Sequence, residues 1–133
     1  MRLLLDTHAF IWLLTDAKKI PAKTLAAIVD TDNEVCVSAV SFWEIAIKVW
    51  RKRLEPIGHS RSTLVEAAES MGLMPIPLLP IEASSHSKLA ESTHFDPFDR
   101  MLIWQAIHRK LTLVSADRTF ARFKRDGLKT LWG

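Results

Sequence analysis

Four acidic residues that lie far apart in the sequence could together bind a metal ion: Asp6, Glu44, Asp99 and Asp117. Each of them also has an ordinary structural interpretation. Asp6 and Asp117 could each cap a following helix, and Asp99 could interact favourably with a helix dipole in a first helical turn. Glu44 could pair with Lys48, four residues further along a helix. For any single acid, the structural interpretation is the stronger one.

Considered together, the four carboxylates favour a metal site. Glu44 lies in the apolar segment 42–47, which is a poor setting for a solvated side chain. Carboxylates that meet in one place repel each other and need a cation or a shifted protonation state. Ligand sets made only of oxygen suit Mg²⁺ or Mn²⁺. The histidines show no spacing typical of a zinc site.

The pattern of apolar residues predicts how these acids are positioned. Short apolar runs alternate with helical periods, which predicts an α/β fold: a three-layer α/β/α sandwich with a central, mainly parallel sheet of four to five strands. We expect strands at 3–5, 35–37, 73–78, 111–114 and 128–132, and helices at 7–14, 21–29, 38–53, from Ser60 to Gly72, and at 80–91, 96–109 and 117–124. The run 73–78 contains two prolines, so that strand should be short and at an edge.

The acids then converge at one edge of the predicted sheet. Asp6 follows the first strand, and Asp117 follows the fourth by a short turn. Glu44 lies in the second turn of the helix after the second strand. Asp99 lies at the start of a helix that runs back to the next strand, which brings it to the same edge. Ligands of such sheets bind beyond the carboxyl ends of the strands.

Length and composition set further bounds. A chain of 133 residues fits one domain, 1–133. Its single cysteine, Cys36, lies in a predicted strand and excludes a disulfide within the chain. The apolar run at the N-terminus is too short for a signal peptide, and nothing later reaches the length of a membrane span. We therefore expect a cytoplasmic protein that contacts no membrane.

The net charge is +3 and the pI is near 9.2, a weak indication of a polyanionic partner. The basic residues fall into two clusters, which are either solvated helix ends or phosphate contacts: Lys48, Arg51, Lys52 and Arg53, and Arg118, Arg122, Lys124 and Arg125. Three tryptophans, Trp12, Trp43 and Trp50, could line a partner groove, although a core position is the favoured interpretation for Trp43.

Four segments of the chain resemble the motifs of PIN domains, in the family's order and spacing. They are residues 3–9 (LLLDTHA), 37–48 (VSAVSFWEIAIK), 94–106 (HFDPFDRMLIWQA) and 113–120 (LVSADRTF). The second is similar to the VapC toxin branch of the family. The resemblance covers essentially the whole chain, and its small departures are Trp104 and Ser115, where relatives often carry a small residue and threonine.

The resemblance implies an endoribonuclease that depends on Mg²⁺ or Mn²⁺, the toxin of a type II toxin–antitoxin pair. Such toxins are usually homodimers and are silenced by a cognate antitoxin. By the same resemblance, the site acids are Asp6, Glu44, Asp99 and Asp117. Asp6 and Asp99 are our first choice for direct metal contacts.

Secondary roles are assigned to several other residues. We expect Ser115 and Thr7 to orient water molecules, and Asp96 to cap the helix in which Asp99 lies, since Pro97 suits the first helical position. His94 is interpreted as structural. The candidates for contact with RNA phosphates are Lys48, Arg51, Arg118 and Arg122.

Two alternatives remain open at this point. A phosphatase-like α/β metal hydrolase also carries carboxylates at a strand end, but residues 6–8 lack the second acid of a haloacid-dehalogenase-like phosphatase. A catalytically silent PIN-fold module that only binds proteins would have no need of all four acids.

Overall fold

The computed structural model describes residues 1–57 and 63–133. The strands are β1 (Arg2–Leu5), β2 (Glu34–Ser38), β3 (Met74–Ile76), β4 (Thr112–Val114) and β5 (Thr130–Leu131). The α-helices are α1 (Thr7–Thr15), α2 (Ala22–Val29), α3 (Ala39–Trp50), α4 (Leu64–Ser70), α5 (Pro80–Ser85) and α6 (Pro97–Arg109). Short 3₁₀ helices cover Ala17–Lys19, His86–Lys88 and Arg118–Asp126.

The strands form a five-stranded sheet in the order β3-β2-β1-β4-β5. All its pairs are parallel, and Leu4 of the central strand β1 lies opposite Cys36 of β2 and Leu113 of β4. The α/β fold with a parallel sheet that the sequence predicts is therefore confirmed, and β3 is the edge strand that the two prolines require.

The central strand is buried on both faces. Leu3 and Leu5 join a core that includes Phe10 of α1, and Leu4 joins a second core that includes Leu102 of α6. All three leucines are 0% exposed, as expected when helices cover both sides of a parallel sheet. Successive side chains of a strand point to opposite faces, so this short run supplies both cores.

Several helix boundaries differ from the prediction. Helix α3 ends at Trp50 rather than Arg53, and α5 ends at Ser85 rather than residue 91. After α5 and a 3₁₀ turn, the backbone of residues 90 and 91 donates hydrogen bonds to the Asp126 carboxylate (2.6 and 3.3 Å), so this segment is held by a distant part of the chain. Helix α4 begins at Leu64, capped by Thr63. The predicted start at Ser60 lies outside the described residues. The predicted helix after Asp117 has the 3₁₀ hydrogen-bond pattern.

The prediction that Trp43 lies in the core is wrong. Its side chain is 60% exposed and packs edge-to-face against Phe98 of α6, with ring centroids 5.2 Å apart. Trp43 lies on the side of α3 that faces away from the sheet, where apolar periodicity alone does not separate core from surface. In the parts of the chain that the structure describes, no helix combines the length and apolar character that crossing a bilayer demands.

Candidate active site

Three of the four predicted acids line one cleft at the carboxyl edge of the sheet. The cleft has a volume of about 330 Å³ and is lined by Asp6, His8, Trp12, Asp99, Ala116, Asp117 and Phe120. Asp6 follows β1 directly, Asp117 follows β4, and Asp99 lies in the first turn of α6, as the topology argument requires. Glu44 is not among the lining residues, although its charge acts on Asp99.

Asp6 is buried and caps helix α1. One carboxylate oxygen accepts a hydrogen bond from the backbone N–H of Ala9 at 2.7 Å, and the side chain is 7% exposed. Burial raises the pKa of Asp6. The rise is opposed by hydrogen bonds from the Ser115 hydroxyl and the Ala9 N–H and by the charge of His8, and it is increased by the Asp117 carboxylate. A buried carboxylate in this state is stabilised by any added positive charge.

Asp99 is held by His94. The Nε2 atom of His94 lies 2.9 Å from Oδ2 of Asp99, and the His94 ring packs edge-on against Phe120. Burial raises the pKa of Asp99, and the negative charges of Asp96 and Glu44 raise it further. The hydrogen bond with His94 lowers the pKa of Asp99 and so opposes this rise. The contact agrees with the structural interpretation of His94, and it links that residue directly to a site acid.

Asp96 has the capping role that the sequence predicts. Asp96 is the N-cap of α6, and its side chain accepts a hydrogen bond from the Asp99 backbone N–H at 3.0 Å. Pro97 occupies the first helical position. Asp96 is therefore occupied with the backbone, while the Asp99 carboxylate lines the cleft.

Glu44 is buried on α3 and forms an ion pair through one carboxylate oxygen. Its Oε2 atom forms an ion pair with Lys48 at 2.9 Å, and the side chain as a whole is 6% exposed. Within residues 1–57 and 63–133, its Oε1 atom has no hydrogen-bond partner. A buried carboxylate oxygen without a partner is energetically costly and is the kind of atom that a cation would satisfy.

The remaining site candidates are engaged in local contacts. Asp117 accepts hydrogen bonds from the backbone N–H and the hydroxyl of Thr119, at 2.9 and 2.6 Å. The Ser115 hydroxyl accepts from the Asp117 backbone N–H at 3.1 Å. The Thr7 and Ser41 hydroxyls form a buried hydrogen bond of 3.0 Å, which joins the first turns of α1 and α3. The sequence offered no indication of the contact with Ser41.

The acids lie near one another, but among the described residues their side chains do not form a preformed metal-binding geometry. In the described residues, no three His, Cys, Asp or Glu side chains lie together in a way that could hold a metal. Each acid has a local partner, so the structural interpretation of each acid is also correct. The chemistry of the set nevertheless fits a hard divalent cation, because every donor is a carboxylate and, among the described residues, the buried Oε1 atom of Glu44 has no hydrogen-bond partner.

A buried polar network positions the helices that carry Glu44 and Asp99. The Ser38 hydroxyl, which caps α3, donates to Gln105 Oε1 of α6 at 2.5 Å. Gln105 donates in turn to Glu82 of α5 at 3.1 Å, and Arg109 binds both oxygens of Glu82 at 2.6 and 2.9 Å. Burial alone raises the pKa of Glu82, but the bonds from Arg109, the Leu79 N–H and Gln105 outweigh it and lower the pKa to about 2.

The residues of this network were not identified from the sequence. Gln105 and Arg109 are polar positions on a helix whose neighbouring residues form the core, and that is the available signal. Their partner Glu82 belongs to another helix, and nothing local to either segment predicts the pairing.

The candidates for RNA contact lie in different places. Lys48 is paired with Glu44. Arg51 is exposed, about 10 Å along the helix axis beyond Glu44. Arg118 lines a second cleft of about 400 Å³ next to the first one. Arg122 is exposed and reaches the Thr93 hydroxyl at 3.5 Å.

A family model described as "PIN domain" matches residues 3–126. No curated protein sequence gives a significant match to the chain. Among solved structures, the fold is similar to that of VapBC2 from Rickettsia felis, solved with a DNA fragment from its promoter, with a TM-score of 0.69 and 16% identity over 100% of both chains.

Two further structures show the same likeness. VapBC-1 from nontypeable Haemophilus influenzae has a TM-score of 0.68 and 15% identity, over 98% of this chain and 97% of that one. FitAcB from Neisseria gonorrhoeae has a TM-score of 0.55 and 17% identity, over 97% and 96% of the two chains. At identities this low, the likeness shows a shared fold and nothing more.

Proposed function

Since this chain belongs to the PIN-domain family, we propose that it is an endoribonuclease dependent on Mg²⁺ or Mn²⁺, and the toxin of a type II toxin–antitoxin pair. One observation carries the enzymatic part: Asp6, Asp99 and Asp117, from three separate elements, line a single cleft at the carboxyl edge of the sheet. Asp6 is buried and Asp99 is half-buried in this cleft, and bringing like charges together there costs free energy that a bound cation would offset.

The acids would divide between two tasks. Asp6 and Asp99 would hold the ion directly, because both line the cleft and burial raises the pKa of both. Glu44 and Asp117 would hold a second ion or the attacking water. When bound, the ion supplies charge neutralisation at the phosphate and makes water a competent nucleophile near neutral pH.

Neighbouring residues would keep these acids in place. His94 restrains the Asp99 carboxylate, and the Ser38–Gln105 hydrogen bond joins α3 to α6, which brings Glu44 and Asp99 within electrostatic reach of each other. Ser115, whose hydroxyl lies close to both Asp6 and Asp117, is our candidate for orienting water. Thr7 is our second candidate for orienting water, because it lies just beyond the carboxyl end of β1. In this role its hydroxyl would bind water instead of the Ser41 hydroxyl.

The enzymatic proposal is tested by cleavage of single-stranded RNAs of varied sequence in Mn²⁺ and in EDTA. We expect cleavage that depends on the metal and that Asp6→Asn abolishes. Asp16→Asn is the matched control, since Asp16 is exposed, makes no capping bond and does not line the cleft. Absence of cleavage with every RNA would favour a catalytically silent module. Hydrolysis of a generic phosphate monoester instead of RNA would favour a phosphatase.

A partner protein is proposed from the apolar surface beside the site. Val40, Trp43, Leu78, Pro97, Phe98 and Met101 line an apolar pocket of about 160 Å³. Trp43 and Phe98 directly precede the site acids Glu44 and Asp99 in the sequence, so an antitoxin segment seated there would lie close to the carboxylates. Exposed apolar patches of this kind are typical of protein interfaces.

The toxin role is tested by co-expression with the small protein encoded next to this gene. We expect an inhibited complex, and we expect the chain alone to be a homodimer by light scattering. Trp43→Ala should weaken the complex, and a fully inhibited complex that tolerates this change would place the antitoxin elsewhere.

A further inference from the structure

We infer that Trp12 and Trp132 form a subsite that stacks a nucleobase of single-stranded RNA beside the site acids, with Arg118 and Lys124 binding an adjacent phosphate. This inference rests on the proposed function and adds to it a part of the substrate that the acids do not contact. The tryptophan subsite consists of these two residues, Trp12 and Trp132.

The tryptophan subsite is an aromatic side of the acid cleft. Trp12 is half-buried and lines the same cleft as Asp6, Asp99 and Asp117. Its ring lies 5.8 Å from that of Trp132, at an interplanar angle of 49°. The two half-buried indoles are therefore in contact, and the pair extends from the cleft that holds the carboxylates, lined by Trp12, to the second cleft, lined by Trp132.

Three cations lie near the two indoles or in the second cleft. Lys19 Nζ lies 5.7 Å from the centroid of the Trp12 ring. Trp132 lines the second cleft together with Arg118 and Lys124. Ala116 and Asp117 line both clefts, so the two are neighbours along one strip of surface. The strip runs from the acids, over the indoles, to two exposed cations.

A single-stranded nucleic acid matches this order of groups. Its phosphates need cations, its bases stack on aromatic rings, and stacking tolerates any base because every base has a π face. A double helix hides its bases and would not reach the indoles. The cations around the subsite favour a polyanion over an apolar peptide, whose preferred surface is the uncharged pocket at Trp43.

The test separates stacking from charge and from catalysis. Binding is measured in EDTA, in an Asp99→Asn background that cannot cleave, by fluorescence anisotropy of a labelled single-stranded RNA octamer. The second probe is the same octamer with abasic nucleotides. Trp12→Ala should weaken binding of the intact RNA about 5- to 150-fold, which is the range for loss of one stacked base, and should leave binding of the abasic RNA nearly unchanged.

Matched variants complete the design. Trp12→Phe should retain most of the affinity, because phenylalanine also stacks. Lys124→Ala should weaken both RNAs equally and reduce the salt dependence of binding. Trp50→Ala is the control, since Trp50 is 81% exposed and lines neither cleft. If Trp12→Ala does not fold, as judged by circular dichroism, Trp132→Ala takes its place with the same expectation.

Equal effects of Trp12→Ala on intact and abasic RNA, or no effect on either, would overturn the subsite. Unchanged RNA binding together with lost binding of the partner protein would assign the indoles to that protein and would also overturn it. A wild-type protein that cleaves no RNA in Mn²⁺ refutes the proposed function. A protein that cleaves RNA but shows no selective loss with Trp12→Ala refutes this inference alone.

Discussion

The two aspartates at the start of α6 should respond to mutation in opposite ways. Asp96 is exposed and its carboxylate accepts one backbone N–H bond, from Asp99 at 3.0 Å. Asp96→Ala removes that cap, which costs about 1 kcal/mol. For a chain of 133 residues, with an unfolding entropy of about 2.1 cal/mol/K per residue, the melting temperature should fall by about 4 °C.

Asp99→Asn should leave stability unchanged or higher. The amide can still form a hydrogen bond with His94, while the change removes a charge from a site where burial raises the pKa of the carboxyl. Loss of an outer partner of a metal ligand typically costs 10- to 100-fold in activity, so loss of a direct ligand should cost more than about 100-fold. Asp96→Ala should lower activity only modestly, by loosening the turn that carries Asp99.

Both variants are measured side by side for the cleavage rate of RNA in Mn²⁺ and for the midpoint of thermal unfolding. The reasoning fails if Asp99→Asn remains fully active while Asp96→Ala is inactive and as stable as the wild type, because the ligand would then be Asp96. It also fails if Asp99→Asn lowers the melting temperature by as much as Asp96→Ala, because Asp99 would then be a structural residue.

Three further predictions follow from the buried charges. Mn²⁺ at 100 times its dissociation constant should stabilise the fold by about 2.7 kcal/mol, an effect that a thermal scan should show and that Asp6→Asn should abolish; equal midpoints in metal and EDTA would count against the site. Arg109→Ala should cost about 3 to 5 kcal/mol in urea unfolding because it leaves the Glu82 carboxylate buried without its cation. Arg125→Ala should change little, because the Arg125 side chain is 63% exposed and lies 3.7 Å from its partner Glu91. Because the pKa of Glu82 is lowered from 4.5 to about 2, its contribution to stability is complete above pH 4.5 and is lost as the pH falls towards 2; urea midpoints across that window should fall more steeply for the wild type than for Glu82→Gln.

Much of the fold could be predicted from short stretches of sequence. The all-apolar run at residues 3–5 indicated a strand buried on both faces, and the alternation of strands with helices indicated parallel pairing. Asp96, Pro97 and Ser38 marked helix starts through capping chemistry that acts over three residues. The path of residues 90 and 91 was not predictable in this way, because they bind Asp126, which lies more than thirty residues away.

The candidate site also has features that local sequence patterns predict and features that depend on distant residues. Which acids follow the strands and helix starts at the carboxyl edge could be predicted from the sequence, because backbone periodicity and capping are encoded within a few neighbouring residues. The contacts of the buried charges became known only from the packed structure: His94 binds Asp99, the Oε1 atom of Glu44 has no hydrogen-bond partner among the described residues, and Glu82 pairs with the distant Arg109. Such contacts depend on how each helix packs across the sheet, which no local pattern specifies. For the same reason, only the packed structure showed that Trp43 lies at the surface and that Trp12 and Trp132 lie side by side.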